Sequence, residues 1–93
     1  MNTQKTAKLY RVRGRVQGVG FRNFVEHAAN AIGVRGYVRN LDDDSVEVYA
    51  SGAKTQLDEL AGMLWKGPRW AEVRGVDESE AALQNYSGFS IRS

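Results

Sequence analysis

The sequence predicts an α+β sandwich in which two helices cover one face of an antiparallel sheet. Three observations lead there. Stretches of alternating apolar and polar residues occur at both ends and in the middle of the chain. Two longer stretches between them carry apolar residues at helical spacing, and turn-forming residues separate every segment.

Lys8 to Val16 opens the series. Tyr10, Val12 and Val16 share one face, while Arg11, Arg13 and Arg15 share the other, as in a half-buried strand. Arg22 to Ile32 follows as a helix, its stripe formed by Phe24, Val25, Ala28, Ala29 and Ile32, and Gly33 ends it. Val34 to Asn40 and Val46 to Ala50 alternate again, joined by Leu41-Asp42-Asp43-Asp44-Ser45 as a hairpin connection. Lys54 to Trp65 is a second helix with Leu57, Leu60, Ala61 and Leu64 on one side, stopped by Gly67-Pro68. Ala71 to Val76 and Gly88 to Arg92 supply the last strands, with Phe89 and Ile91 pointing inward.

The order strand, helix, strand, strand, helix, strand, with a short strand appended, is that of the ferredoxin-like βαββαβ sandwich. In that plan the first two strands run parallel on either side of the third, because the crossover helix returns the chain. Their C-terminal ends therefore meet at one edge, which brings Asn40 near the loop that follows the first strand. Asn40 also shares the parity of Val34 and Val38, so its amide faces the helix-covered side. A polar amide there needs a partner, such as a water or a substrate. The plainer reading makes Asn40 only the turn-former that starts the hairpin.

A chain of 93 residues supports one domain with one core, expected over residues 8–93 after a flexible tail over residues 1–7. Thirteen basic against eleven acidic residues leave a net charge of +2, well short of what a dedicated DNA binder carries. With no cysteine, thiol catalysis, thiolate metal sites and disulfides are excluded. The polar start shows neither a signal peptide nor a membrane span. A cytoplasmic location is expected, and the lack of cysteine is compatible with it.

The chemistry concentrates in Val12-Arg13-Gly14-Arg15-Val16-Gln17-Gly18-Val19-Gly20-Phe21-Arg22. Glycines let a loop turn successive backbone N–H groups inward, and the following helix adds unpaired N–H groups and the positive end of its dipole. The guanidinium of Arg22 completes a site suited to a phosphoryl group. His27 falls opposite the apolar stripe, toward solvent, so a Ser-His-Asp arrangement has little support. Asp42-Asp43-Asp44 lacks the alternating spacing and distal glutamate of a calcium loop and is expected to be a solvated turn.

Two motifs closely resemble the acylphosphatase family: Gly14-Arg15-Val16-Gln17-Gly18-Val19-Gly20-Phe21-Arg22, and Gly36-Tyr37-Val38-Arg39-Asn40 followed by Val46 and Gly52. The ending Gly88-Phe89-Ser90-Ile91-Arg92 is also similar. One position departs: Asp44 stands where the family usually has glycine, and aspartate tolerates a left-handed turn better than most residues. The resemblance implies hydrolysis of the carboxyl-phosphate bond of acyl phosphates to carboxylate and inorganic phosphate, without metal or cofactor. It implies that Arg22 and the amides of Arg15, Val16, Gln17, Gly18, Val19 and Gly20 hold the phosphoryl oxygens, and that Asn40 positions the attacking water. A small-molecule substrate, no nucleic-acid or membrane partner, and action as a monomer are also expected.

The rival expectation is a nucleic-acid-binding module. Parity gathers Arg11, Arg13, Arg35, Tyr37, Arg39 and Tyr49 on the open sheet face, and a basic sheet with aromatics can stack bases. Glu47 shares that face and can instead pair with an arginine. A non-catalytic anion-sensing module, as found inside larger maturation enzymes, is a third expectation, opposed by the short chain. Trp65, Arg69 and Trp70 either line an acyl pocket or cover the second helix.

Overall fold

Alternation along the first strand decides which face of the sheet is covered. Tyr10 and Val12 are buried and Arg11, Arg13 and Arg15 are exposed. In the computed structural model, which describes residues 4–93, the elements are β1 (Thr6–Arg15), α1 (Phe21–Ile32), β2 (Arg35–Asn40), β3 (Val46–Gly52), α2 (Lys54–Lys66), β4 (Glu72–Ala81) and β5 (Phe89–Arg92). The strands form one sheet in the order β4-β1-β3-β2-β5. All pairings are antiparallel except β2–β5, which is parallel. β1 and β2 flank β3 and run the same way, so both end at the edge that carries the glycine loop.

Both helices pack on one face. The core joins Tyr10, Val12 and Val48 from the sheet to Phe21 and Val25 of α1 and to Leu57, Leu60 and Leu64 of α2. Each such buried side chain contributes roughly 1.5–3 kcal/mol relative to exposure. Gly33 closes α1 in the left-handed conformation, at φ 98°, with its N–H on the Ala29 carbonyl. Gln56 ties the helices together: its Oε1 accepts from the Ala53 N–H at the start of α2, and its Nε2 donates to the Ile32 carbonyl at the end of α1.

Two boundaries and one connection differ from the alternation pattern. β1 begins at Thr6, and Ala7 is buried, so these two residues belong to the sheet and not to a tail. The tail reading of residues 1–3 lies outside the described residues. β4 continues to Ala81 because β1 pairs with it along its length, down to Ala7 opposite Ala81. That extension was hidden because Asp77 to Glu80 is charged on both faces, as an edge strand with one bonded side permits.

The third difference is topological. β4 and β5 lie at opposite edges, so residues 82–88 cross the face away from the helices. Tyr49 anchors them: its hydroxyl donates to the Ala82 carbonyl at 2.7 Å and accepts from the Gln84 N–H at 2.8 Å. Tyr37 and Tyr49 stack with ring centres 5.7 Å apart, and Tyr86 tilts against both. Tyr49 is therefore only 3% exposed on a face expected to be open.

The basic residues of that face are mostly paired. Arg39 and Tyr37 both donate to the Glu47 carboxylate, each at 2.8 Å. Burial pushes the Glu47 carboxyl up, but these donors outweigh it and hold it below its ordinary range. Burial, followed by the bond to Glu47, pushes Tyr37 up to about 12. Arg13 is paired with Asp77, and Arg11 with Asp43. Arg92 lies over the Tyr37 ring, 4.2 Å from its centre.

Candidate active site

The loop between β1 and α1 owes its shape to two glycines. Gly18 and Gly20 adopt left-handed conformations, with φ of 73° and 77°, and open space surrounds the position where a Cβ would stand. Backbone conformation, rather than crowding, thus requires glycine at both. Gly20 is also the N-cap of α1, and no side chain caps the helix there. The first-turn N–H groups are left for an external acceptor, next to the positive end of the helix dipole.

This loop, the start of α1, the end of β2 and β5 enclose a cavity of about 230 Å³. Val16, Gly18, Gly20, Phe21, Arg22, Asn23, Asn40 and Ile91 line it. The volume is below the range of drug-sized ligand sites and suits a small anion with a small attached group. Arg22 is the one charged residue in the wall, and no carboxylate, histidine, serine or cysteine joins it. The wall therefore has no side chain for proton abstraction or covalent attack, and its chemistry is that of donors placed around an anion.

Asn40 carries the most pointed observation. Its Oδ1 is buried and has no hydrogen-bond partner. An unpaired buried acceptor costs about 1–3 kcal/mol, so its persistence calls for a donor supplied from outside the protein. The amide faces the helix-covered side, as the parity with Val38 predicts, and opens into the cavity shared with Arg22.

The side chains of Arg15, Gln17 and Val19 stay out of the cavity wall. The Gln17 side chain turns away and donates from Nε2 to the Leu41 and Ser45 carbonyls, both at 2.9 Å. It fastens the loop to the hairpin one residue beyond Asn40. Val19 packs against the core, and Arg15 ends β1 opposite Glu72, exposed. Asn23 and Ile91 line the cavity without having been singled out from the sequence. Asn23 directly follows Arg22 in the first turn of α1, a position that could have been read. Ile91 enters because β5 pairs with β2 in the register Val38 opposite Ile91, which no local pattern encodes.

The remaining candidates fall elsewhere. His27 is exposed on α1. Trp65 and Trp70 are 52% and 72% exposed and do not line the cavity, and Arg69 lies over the Trp70 ring. In the hairpin, Asp43 accepts from the Ser45 hydroxyl and N–H and from Arg11. These bonds, the Ser45 hydroxyl first, hold its carboxyl down at about 2. Asp44 is the one non-glycine residue with positive φ among the described residues, at 72°, which is the left-handed turn expected there. No group of three metal-ligating side chains forms among the described residues.

Comparison with known proteins agrees with this geometry. The family model described as Acylphosphatase matches residues 8–91. An acylphosphatase of Solibacter usitatus is 58% identical over 86 residues, covering 92% of this chain and 90% of that protein. The structure of an acylphosphatase from Coxiella burnetii superposes with a TM-score of 0.91 at 36% identity, covering 95% of this chain and 93% of the other. That from Bacillus subtilis gives 0.92 at 33% identity, covering 97% and 100%. A glycine loop at an uncapped helix start, one arginine and an unpaired asparagine oxygen thus stand within a fold and sequence shared along nearly the whole chain: the protein belongs to the acylphosphatase family, whose enzymes hydrolyse acyl phosphates.

Proposed function

We propose that this protein hydrolyses acyl phosphates to a carboxylate and inorganic phosphate, with the phosphoryl group held by Arg22 and the backbone amides of Arg15 to Gly20. The unpaired, buried Asn40 Oδ1 carries the reading. In this role it accepts a hydrogen from the attacking water and aims the water's lone pair at phosphorus. Water adds to phosphorus as the phosphorus–acyl oxygen bond breaks, and the electron pair leaves on the carboxylate. Both water hydrogens stay with the phosphate, so dihydrogen phosphate and carboxylate form without a protein base. An acyl phosphate is already activated, and positioning with charge stabilisation is sufficient for such transfer.

The same reading has the protein act as a monomer in the cytoplasm on a small substrate, without metal, cofactor or nucleic acid. Pairing of Arg11, Arg13 and Arg39 with carboxylates supports the last point. The test is hydrolysis of benzoyl phosphate beside p-nitrophenyl phosphate, both with excess chelator. Rapid turnover of the first and little of the second is expected, since a monoester leaving group needs a proton donor that the cavity wall lacks. Comparable rates on both, or a requirement for magnesium, would overturn the assignment.

A further inference from the structure

The side chains that line the cavity differ in their exposure to solvent. Asn40 Oδ1 is buried. Asn23 is the only exposed lining residue that has a side chain, the other two exposed ones being Gly18 and Gly20. Asn23 occupies the first turn of α1 directly after Arg22. Its amide makes no hydrogen bond with the other described residues.

Phosphoryl transfer places the attacking and leaving oxygens in line on opposite sides of phosphorus. With the phosphoryl oxygens in the loop and the water at the buried Asn40 Oδ1, the leaving oxygen is directed away from Asn40, toward the solvent-exposed part of the wall. The geometry points to Asn23 as the leaving-group residue, its amide N–H donating to the departing carboxylate; this assignment rests on the acyl-phosphate reading above.

The chemistry fits an amide. As the bond to phosphorus breaks, negative charge gathers on the acyl carboxylate, which needs no proton to leave. A neutral donor strengthens its hydrogen bond as that charge grows, so it stabilises the transition state more than bound substrate. A lysine or arginine there would hold the product carboxylate as well, whereas an exposed amide releases it. The residue thereby tunes which acyl groups are handled well. Carboxylates that are poor leaving groups carry more charge at the transition state and benefit most.

The test is a series of ring-substituted benzoyl phosphates and acetyl phosphate, measured on the unmodified protein, Asn23→Leu and Asn23→Ser. Leucine is nearly isosteric, donates nothing and suits an exposed helical position, so the fold is kept. Loss of one neutral hydrogen bond predicts a fall in kcat of roughly 2- to 10-fold for Asn23→Leu. The fall should be largest for the most basic leaving groups, giving a steeper dependence of log kcat on carboxylic-acid pKa. The inhibition constant of inorganic phosphate should stay unchanged, and Asn23→Ser, which keeps a donor, should retain the shallower dependence. Equal slopes for the unmodified protein and Asn23→Leu would overturn the role, as would a phosphate inhibition constant that moves with kcat. Failure of the unmodified protein to hydrolyse any member of the series would instead remove the functional reading on which the assignment rests.

Discussion

Arg22 and Asn40 share one cavity wall but are assigned to different parts of the proposed reaction, so their substitutions should separate. Arg22→Ala removes the guanidinium proposed to hold both the phosphoryl group and its transition-state charge. Loss of one such donor costs about 3–4 kcal/mol in the barrier, or about 10² to 10³ in kcat, and the inhibition constant of phosphate should rise with it. Asn40→Ala should lower kcat to a similar degree and leave phosphate inhibition nearly unchanged, because its amide is assigned to the water. The alanine also deletes an unpaired buried oxygen, so Asn40→Ala should not lower thermal stability, and a calorimetric scan with the kinetics checks both points. Near-normal turnover in Asn40→Ala would remove the water-positioning role. Arg22 and Asn40 were both readable from residue type, parity and motif. The unpaired state of Asn40 Oδ1 was not, since it depends on what every neighbouring element leaves unoffered.

At the scale of elements, the β1–α1 loop and the β2–β3 hairpin are held together by one side chain. Gln17 donates to two hairpin carbonyls, and the β1–α1 loop therefore cannot drift from Asn40 without breaking both bonds. Gln17→Ala should cost about 1–2 kcal/mol in denaturant unfolding and weaken phosphate inhibition, although Gln17 itself does not line the cavity. Unchanged unfolding and inhibition would show that the loop needs no such tether. The hairpin has its own acid sensitivity. Asp43 titrates near 2 in the folded protein against an ordinary 3.8, so its bonds to Ser45 and Arg11 stabilise the fold fully above the ordinary value. That contribution is lost as pH falls from about 4 through 2. Comparing Asp43→Asn with the unmodified protein across this range should show the variant less stable at pH 5 and the difference closing toward pH 2. A difference independent of pH would place the effect elsewhere.

Across the whole molecule, the segment from β4 to β5 joins the two sheet edges. It does so over the face that the alternation pattern left open. Tyr49 holds it with one hydroxyl that donates to Ala82 and accepts from Gln84. Tyr49→Phe should cost about 1–2 kcal/mol, because both backbone groups lose their partner. Amide exchange should speed up most at Gln84 and its neighbours, with phosphate inhibition unaffected, since the cavity opens on the helix side. Uniform acceleration over all strands would instead assign Tyr49 a global role. The crossing also bears on nucleic-acid binding: a face whose arginines are mostly paired and whose Tyr49 is covered offers few stacking platforms, so single-stranded RNA should bind weakly and lose affinity steeply with salt.

Local chemistry was enough to determine the two helices, the inner strands, the glycine loop and the placement of Arg22 and Asn40. Helical and strand periodicity, left-handed turn positions and strand parity are properties of neighbouring residues, and they survive translation into a linear text. The left-handed Asp44 belongs to the same class. Tertiary structure alone decided the full length of β4, the parallel seating of β5 on β2, and the crossing of residues 82–88. It also decided the entry of Asn23 and Ile91 into the cavity and the turn of Gln17 away from it. These depend on pairing partners far away in the chain: a charged edge strand is a strand only because β1 offers it a full row of hydrogen bonds, and Ile91 joins Asn40 in the cavity wall only through the register of a parallel pair.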